Sequence, residues 1–156
     1  IMTSPQIGDQ APDFEIPGTS EKSVRLSQWR GKRVVLYFYP RDNTAGCTLE
    51  GNDFKAQHDV FEKNNCVVLG ISRDSVKSHQ NFKKKHSFPF ELASDKEETV
   101  CRLYDVIKEK KMYGKTHFGI ERSTFLIDEA GILVKEWRKV KVPGHVDDVL
   151  NALNSL

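Results

Sequence analysis

The segment RVVLYFYPRDNTAGCTLEGNDF, residues 33–54, decides the fold, because it joins a strand pattern to a helix pattern through a turn. Apart from its arginine, the run 33–39 is continuously apolar, which is typical of a strand buried on both faces of a sheet. Residues 40–46 are mostly turn formers, and they end such a strand. Cys47 follows, in what we predict to be the first turn of a helix.

Two further apolar runs predict more strands of the same sheet. They are VVLGI at 67–71 and TFLI at 124–127. Between the first two runs, Phe54, His58 and Phe61 recur at i, i+4 and i+7, which predicts one face of a helix over 47–64.

A second helix is predicted after residue 71. Asp74 or Ser75 can cap it, and it carries Val76, His79 and Phe82. The order strand, helix, strand, helix is that of a βαβ unit.

The two ends of the chain add a hairpin, a helix and a small strand pair. The segment IDEAGI, 127–132, predicts a hairpin turn that leads into a strand, ILVKEW. A last helix begins after Pro143 and Gly144, with one apolar side made of Val146, Val149, Leu150 and Leu153. The stretch FEIPGTSEKSVRLS, 14–27, suggests two short strands ahead of the core.

These patterns predict a single α/β domain over residues 1–156, which is an ordinary length for one domain. We expect a thioredoxin-like fold with an N-terminal strand extension and a central mixed sheet flanked by helices. A flavodoxin-like doubly wound sheet is the main alternative.

Composition excludes several classes of function. A hydrophobic content of 38% with 29% charged residues indicates a folded globular chain, and without an apolar run of 18 residues we expect no membrane span. A net charge of +2 gives no electrostatic reason to bind nucleic acid or an acidic membrane. We interpret two short basic clusters as solvated helix faces: Lys83 to Lys85, and Lys108, Lys110 and Lys111.

The cysteines, Cys47, Cys66 and Cys101, lack the spacing of a zinc site, so we expect no metal and no cofactor. No secretory signal is visible at the start of the chain, and free thiols then suggest the cytoplasm. Cys66 begins a core strand and Cys101 belongs to a helical stretch, so both are interpreted as inert buried thiols.

Cys47 is different, because its neighbours are glycine, threonine and glutamate, which do not make a core. The unpaired N–H groups and the positive dipole end of a helix N-terminus favour the thiolate, which is the nucleophilic form. We therefore expect a reactive thiol that a small oxidant can reach.

The same residues resemble a known family. Pro40, Thr44 and Cys47 match the P-x-x-x-T-x-x-C pattern of peroxiredoxins, and residues 34–54 are similar to the bacterioferritin-comigratory, or PrxQ, group. The similarity continues in segments along nearly the whole chain: APDF, VVLGISRDSVKSH, EKKMYGK and RSTFLID.

The resemblance implies a thiol peroxidase in which Cys47 attacks a peroxide and becomes a sulfenic acid. Thr44 and Arg122 match the positions that complete the family's site, and Pro40 would shape the loop and shield the thiolate. A threonine hydroxyl can both donate and accept, and arginine stays charged. The alternatives are a turn or cap role for Thr44, and for Arg122 a surface ion pair with a neighbouring glutamate, Glu121 or Glu129.

One departure from the group matters. The positions where its members carry a resolving cysteine hold Asn52 and Lys83 here, and Ala45 replaces a common proline. We therefore expect a one-cysteine cycle in a monomer, with an outside thiol such as thioredoxin or glutaredoxin/glutathione as reductant. A two-cysteine cycle through Cys101 or Cys66 stays open.

Three other functions remain alternatives. A thioredoxin-like disulfide reductase would ordinarily carry a CxxC motif. A cysteine hydrolase would need His86, His117 or His145 as a base within reach of Cys47. A redox-responsive binding protein would use oxidation of Cys47 to change its surface.

Overall fold

Residues 4–20 and 22–156 are described by a computed structural model of the chain. Within them the strands are β1 (Glu15–Pro17), β2 (Ser23–Arg25), β3 (Arg33–Phe38), β4 (Cys66–Ser72), β5 (Glu91–Ser94), β6 (Ile107–Met112), β7 (Lys115–Ile120), β8 (Ser123–Ile127) and β9 (Leu133–Trp137). The helices are α1 (Ala45–Ala56), α2 (His58–Lys63), α3 (Val76–His86), α4 (Thr99–Leu103) and α5 (His145–Asn154), with a 3₁₀ turn at Leu26–Trp29.

The central sheet is mixed, as predicted. Its five strands lie in the order β5-β4-β3-β8-β9. Strands β3, β4 and β5 are parallel, whereas β8 runs antiparallel to β3 and β9 antiparallel to β8. The antiparallel pair separates this sheet from the flavodoxin-like alternative, whose order is built on parallel strands. The predicted N-terminal extension is the antiparallel pair β1–β2.

Each face of the sheet buries its own apolar cluster, because successive side chains of a strand point to opposite faces. On β3, Leu36 belongs to one cluster and Tyr37 to the other. The first cluster, which we call the α4 face, includes Cys101 of α4. The second, the α1 face, includes Cys47 and Phe54 of α1 together with apolar side chains of α2, α3 and α5.

The predicted helix over 47–64 is two helices that meet at Gln57. Phe54 and Phe61 are both fully buried, as their spacing predicted. The cap of α3 is Ser75, whose side chain accepts a hydrogen bond from the backbone N–H of Ser78 at 3.1 Å. The hairpin β8–β9 and the start of α5 after Gly144 are also as predicted.

The hairpin β6–β7 is a correction to the sequence interpretation. Lys108, Lys110 and Lys111 lie on β6 and not on a helix. Tyr113 and Gly114 form its tip with φ of 53° and 74°, the paired left-handed conformation of a tight hairpin turn. Both strands are largely exposed, so no alternation of apolar residues marks them in the sequence.

Among the described residues, no helix has the length and apolar character needed to cross a membrane.

Candidate active site

Cys47 lies in the first turn of α1, just beyond the carboxyl end of β3, as predicted. Thr44 is the N-cap residue of α1, and its carbonyl accepts the first helical bond from Thr48 N–H at 2.9 Å. The cysteine thus stands at the end of the helix where free N–H groups and the dipole favour an anion.

The burial of Cys47 corrects the sequence interpretation, since only 3% of the residue is exposed. Neighbours along a helix do not report burial, because each residue is turned about 100° from the last. The buried residues of α1 are Cys47, Glu50, Gly51 and Phe54, at i, i+3, i+4 and i+7. Cys47 therefore belongs to the face of α1 that packs on the sheet.

Arg122 reaches the sulfur from the sheet side. Its Nη2 donates to Cys47 Sγ at 3.4 Å, while Nη1 donates to Glu50 Oε1 at 2.7 Å. Only 15% of the Arg122 side chain is exposed, so the guanidinium acts on the sulfur with little screening by water. The surface ion pair considered for Arg122 is wrong, and Glu129 pairs with Arg33 instead.

Glu50 is the site residue that the sequence interpretation missed. Its side chain is fully buried, and its Oε2 has no hydrogen-bond partner among the described residues. Burial raises the pKa of Glu50 to about 7, against the opposing effect of Arg122. The one available signal was its position three residues after Cys47, on the same helical face.

Gly46 leaves the space that Arg122 occupies. A Cβ atom at this position would lie 3.1 Å from Arg122 Nη2, closer than side chains ordinarily pack. Glycine at this position thus makes room for the close approach of Arg122, and its backbone conformation is not an unusual one.

Pro40 and Thr44 lie on the loop between β3 and α1. Pro40 is half-buried and Thr44 is exposed. The Thr44 hydroxyl donates to the Arg41 carbonyl at 3.0 Å and makes no capping bond of its own to α1. The predicted turn position of Thr44 is thus present, and its hydroxyl oxygen can still accept a hydrogen bond from a substrate while its hydrogen is donated to Arg41.

The three histidines considered as bases do not serve Cys47. Among the described residues, Arg122 is the side chain hydrogen-bonded to the Cys47 sulfur. His145 instead contacts Thr124 Oγ1 at 2.8 Å, and burial lowers its pKa to about 4. His117 lies exposed on β7, and His86 packs against Phe88. The arrangement places a guanidinium against the sulfur, and not the base that a hydrolase needs.

Comparison with known proteins finds peroxiredoxins along nearly the whole chain. The AhpC/TSA family matches residues 7–136. Peroxiredoxin Bcp of Bacillus subtilis is 49% identical over 151 residues, covering 97% of this chain and 96% of that protein. Peroxiredoxin Bcp of Xanthomonas campestris is 50% identical over 158 residues, covering 99% and 98%.

The chain belongs to the AhpC/TSA family of peroxiredoxins.

Solved structures of this family confirm the thioredoxin-like peroxiredoxin fold. Xanthomonas campestris Peroxiredoxin Q has a TM-score of 0.90 at 49% identity, covering 97% of this chain and 96% of that one. A cysteine-to-serine mutant of Xylella fastidiosa PrxQ has a TM-score of 0.93 at 44% identity, covering 98% of each chain. This peroxiredoxin is a thiol-dependent peroxidase of the Bcp/PrxQ group.

We predict that Gly46→Ala slows the reaction of Cys47 with peroxide without destabilising the fold. The added methyl group meets Arg122 Nη2 at 3.1 Å, so the guanidinium must move away from the sulfur. Alanine in a helix favours folding by up to about 1 kcal/mol over glycine. Stopped-flow oxidation and urea unfolding measure the two effects separately, with the exposed Asn52→Ala as control. Equal oxidation rates for wild type and Gly46→Ala would contradict the proposed contact.

The raised pKa of Glu50 predicts that the free energy of unfolding depends on pH. Because its pKa rises from 4.5 to about 7 on folding, its favourable contribution is complete below about pH 4.5 and is lost as the pH rises through 7. Relative to Glu50→Gln, the wild-type free energy of unfolding should fall across this window. Urea unfolding of both proteins between pH 4.5 and 8 measures the slope, and parallel curves would show that Glu50 does not titrate this way.

Proposed function

We propose that Cys47 is the peroxidatic cysteine and that Arg122, Thr44 and Pro40 complete its site. The Cys47 thiolate attacks one peroxide oxygen, the O–O bond breaks, and the second oxygen leaves with a proton as water or an alcohol. The sulfur, oxidised by two electrons, becomes a sulfenic acid. The observation that carries this proposal is the Arg122 guanidinium, which contacts both Cys47 Sγ and the buried Glu50.

Arg122 has two functions in this reaction. It stabilises the sulfur anion before the attack, and it then stabilises the negative charge that develops on the leaving oxygen. Glu50 fixes the orientation of the guanidinium through Nη1, which leaves Nη2 directed at the sulfur. Thr44, at the exposed end of α1, supplies a hydroxyl that can donate to the peroxide and accept from it. Pro40 limits the water around the sulfur.

The burial of Cys47 restricts what can reach it. With 3% of the residue exposed, a small peroxide needs only a slight movement of the turn 43–46, whereas the sulfur of a protein thiol needs far more room. We infer that the first turn of α1 opens after oxidation, and that the reductant then attacks the sulfenic acid.

The positions of Cys66 and Cys101 support a one-cysteine cycle. Cys66 pairs with Arg33 at the opposite end of β3, roughly 17–20 Å from the end that precedes Cys47 at the usual rise per residue. Cys101 belongs to the α4 face, so the sheet separates it from Cys47. A disulfide requires Cα atoms about 4.4–6.8 Å apart.

The chemistry of the two thiols supports the same conclusion. Burial raises the pKa of Cys66 to about 12 and raises that of Cys101 further. Both therefore remain protonated at neutral pH and react poorly as nucleophiles.

An outside thiol completes the cycle. It condenses with the sulfenic acid of Cys47 to give a mixed disulfide and water, and a second thiol then releases Cys47 as a thiol. We propose thioredoxin or glutaredoxin with glutathione as this reductant, and a monomer in the cytoplasm as the working form. The three free cysteines are in keeping with a reducing compartment.

Cys47→Ser should reduce peroxide consumption to the uncatalysed background, because the serine hydroxyl does not ionise at neutral pH. Cys66→Ser and Cys101→Ser are matched controls and should retain the activity. Peroxide consumption with thioredoxin and with glutaredoxin/glutathione measures turnover and identifies the reductant. Turnover that persists in Cys47→Ser would reject the proposal, and a single stoichiometric oxidation would indicate a redox-responsive binding protein instead.

Intact-mass measurement tests the one-cysteine cycle. After one equivalent of peroxide, we expect a gain of one oxygen atom on Cys47, and a mixed disulfide after glutathione is added. A loss of two hydrogen atoms that disappears in Cys101→Ala or Cys66→Ala would establish an internal disulfide and reject the one-cysteine cycle.

A further inference from the structure

A second buried pair of polar side chains lies on the other side of the loop that precedes Cys47. Asp42, in this loop, faces His79 of α3, and Asp42 Oδ2 lies 2.8 Å from His79 Nδ1. Their side chains are only 2% and 1% exposed. The sequence interpretation used His79 only as a helical position, and the proposed chemistry of Cys47 does not use the pair.

The Asp42 carboxylate receives hydrogen bonds on both oxygens. Tyr39 donates its hydroxyl to Oδ1 at 2.6 Å, and Ser78 donates to Oδ2 at 2.8 Å. Burial, followed by the neighbouring Tyr37 and the charge of Asp42, raises the pKa of Tyr39 well above its usual value, so the phenol keeps its proton. Both oxygens of Asp42 are thus held in place by neighbouring hydroxyl groups.

The second nitrogen of His79 ties the ring to the central sheet. His79 Nε2 lies 3.1 Å from the Ala93 carbonyl of β5, which can only accept, so Nε2 carries hydrogen and donates to it. Nδ1 faces Asp42 Oδ2, so the ring bridges the active-site loop and β5 through its two nitrogens.

The same cluster is a poor cation site. Asp42, Asp74 and His79 offer ligand atoms within 4.8 Å of one another. However, Asp74 Oδ2 already accepts from Ser72 Oγ at 2.5 Å and from the Asp42 backbone N–H at 2.9 Å. A cation would have to compete with these bonds and with the hydrogen bonds that His79 already makes.

The pair fixes a loop that needs support. Asn43 has a φ of 63°, a left-handed conformation that costs free energy unless its surroundings enforce it. Asp42 immediately before it is held by the side chains of Tyr39, which follows β3, and of His79 on α3, and its backbone N–H donates to Asp74. Thr44 and the first turn of α1 follow directly, so the position of Asp42 determines where α1 begins and where Cys47 in its first turn lies.

We propose that His79 is a positioning residue that, through its hydrogen bond to Asp42, holds the loop 40–44 in the conformation that presents Thr44 and Cys47 to peroxide. This role rests on the proposed function of Cys47. It connects α3 to the active-site loop, so that loosening the pair releases the first turn of α1.

His79→Gln tests the proposal in a Cys66→Ser/Cys101→Ser background, where Cys47 is the only thiol. Glutamine is uncharged and can donate to only one of the two acceptors. We expect the second-order rate of Cys47 oxidation by hydrogen peroxide to fall by about tenfold to a hundredfold, as small displacements of reacting groups do. The rate of alkylation by iodoacetamide should rise several-fold, because the loop no longer covers the sulfur.

Opposite changes in the two rates distinguish positioning from a purely structural role, which would lower the melting temperature and leave both rates of the folded protein unchanged. His58→Gln, which removes the contact of the half-buried His58 with the exposed Glu62, is the matched histidine control and should react like wild type. Asp42→Asn combined with His79→Gln should be no slower than the slower single variant. Additive losses would overturn the proposal.

Ser78→Ala tests the same contact if His79→Gln does not fold, because it removes one donor to Asp42 and leaves the pair in place. It should show the same opposite changes at smaller amplitude, and unchanged rates would overturn the proposal.

The two proposals fail in different ways. If Cys47 in the parent Cys66→Ser/Cys101→Ser protein does not react with peroxide, the function of Cys47 is rejected. If the parent reacts and the His79 and Ser78 variants react at the same rates, only the role of His79 is rejected.

Discussion

The structure of the site depends on one interaction, the contact of the Arg122 guanidinium with Glu50 inside the protein. A buried ion pair is costly to desolvate and is weak evidence of stability. Here it directs the second N–H of Arg122 at the Cys47 sulfur. The pair also explains why a glutamate occupies the apolar face of α1 and why residue 46 is a glycine.

The sheet brings the two halves of this site together. Strand β3 pairs with β8, and Phe38 lies opposite Ser123. Because the strands are antiparallel, the carboxyl end of β3 and the start of β8 meet at one edge. Cys47 follows the first and Arg122 precedes the second, so residues 75 positions apart need only the turn 40–44 to place them in contact.

The sequence predicted what depends on local pattern. Apolar runs located β3, β4 and β8, and the turn before Cys47 located the site. Glu50 was not predicted, because its burial depends on which face of α1 packs on the sheet. The pair of Asp42 and His79, 37 residues apart, depends on the packing of α3 against a loop. Strands β6 and β7 escaped because both are mostly exposed and show no alternation.

The burial of Cys47 and the lack of an internal thiol partner have the same cause. Facing the sheet brings the sulfur to Arg122, and a solvent-facing position on α1 would not. The same orientation places the sheet between Cys47 and Cys101, and the length of β3 between Cys47 and Cys66. A sulfur placed in this way is separated from the other two thiols of its own chain, and the proposed reduction by an outside thiol follows from that separation.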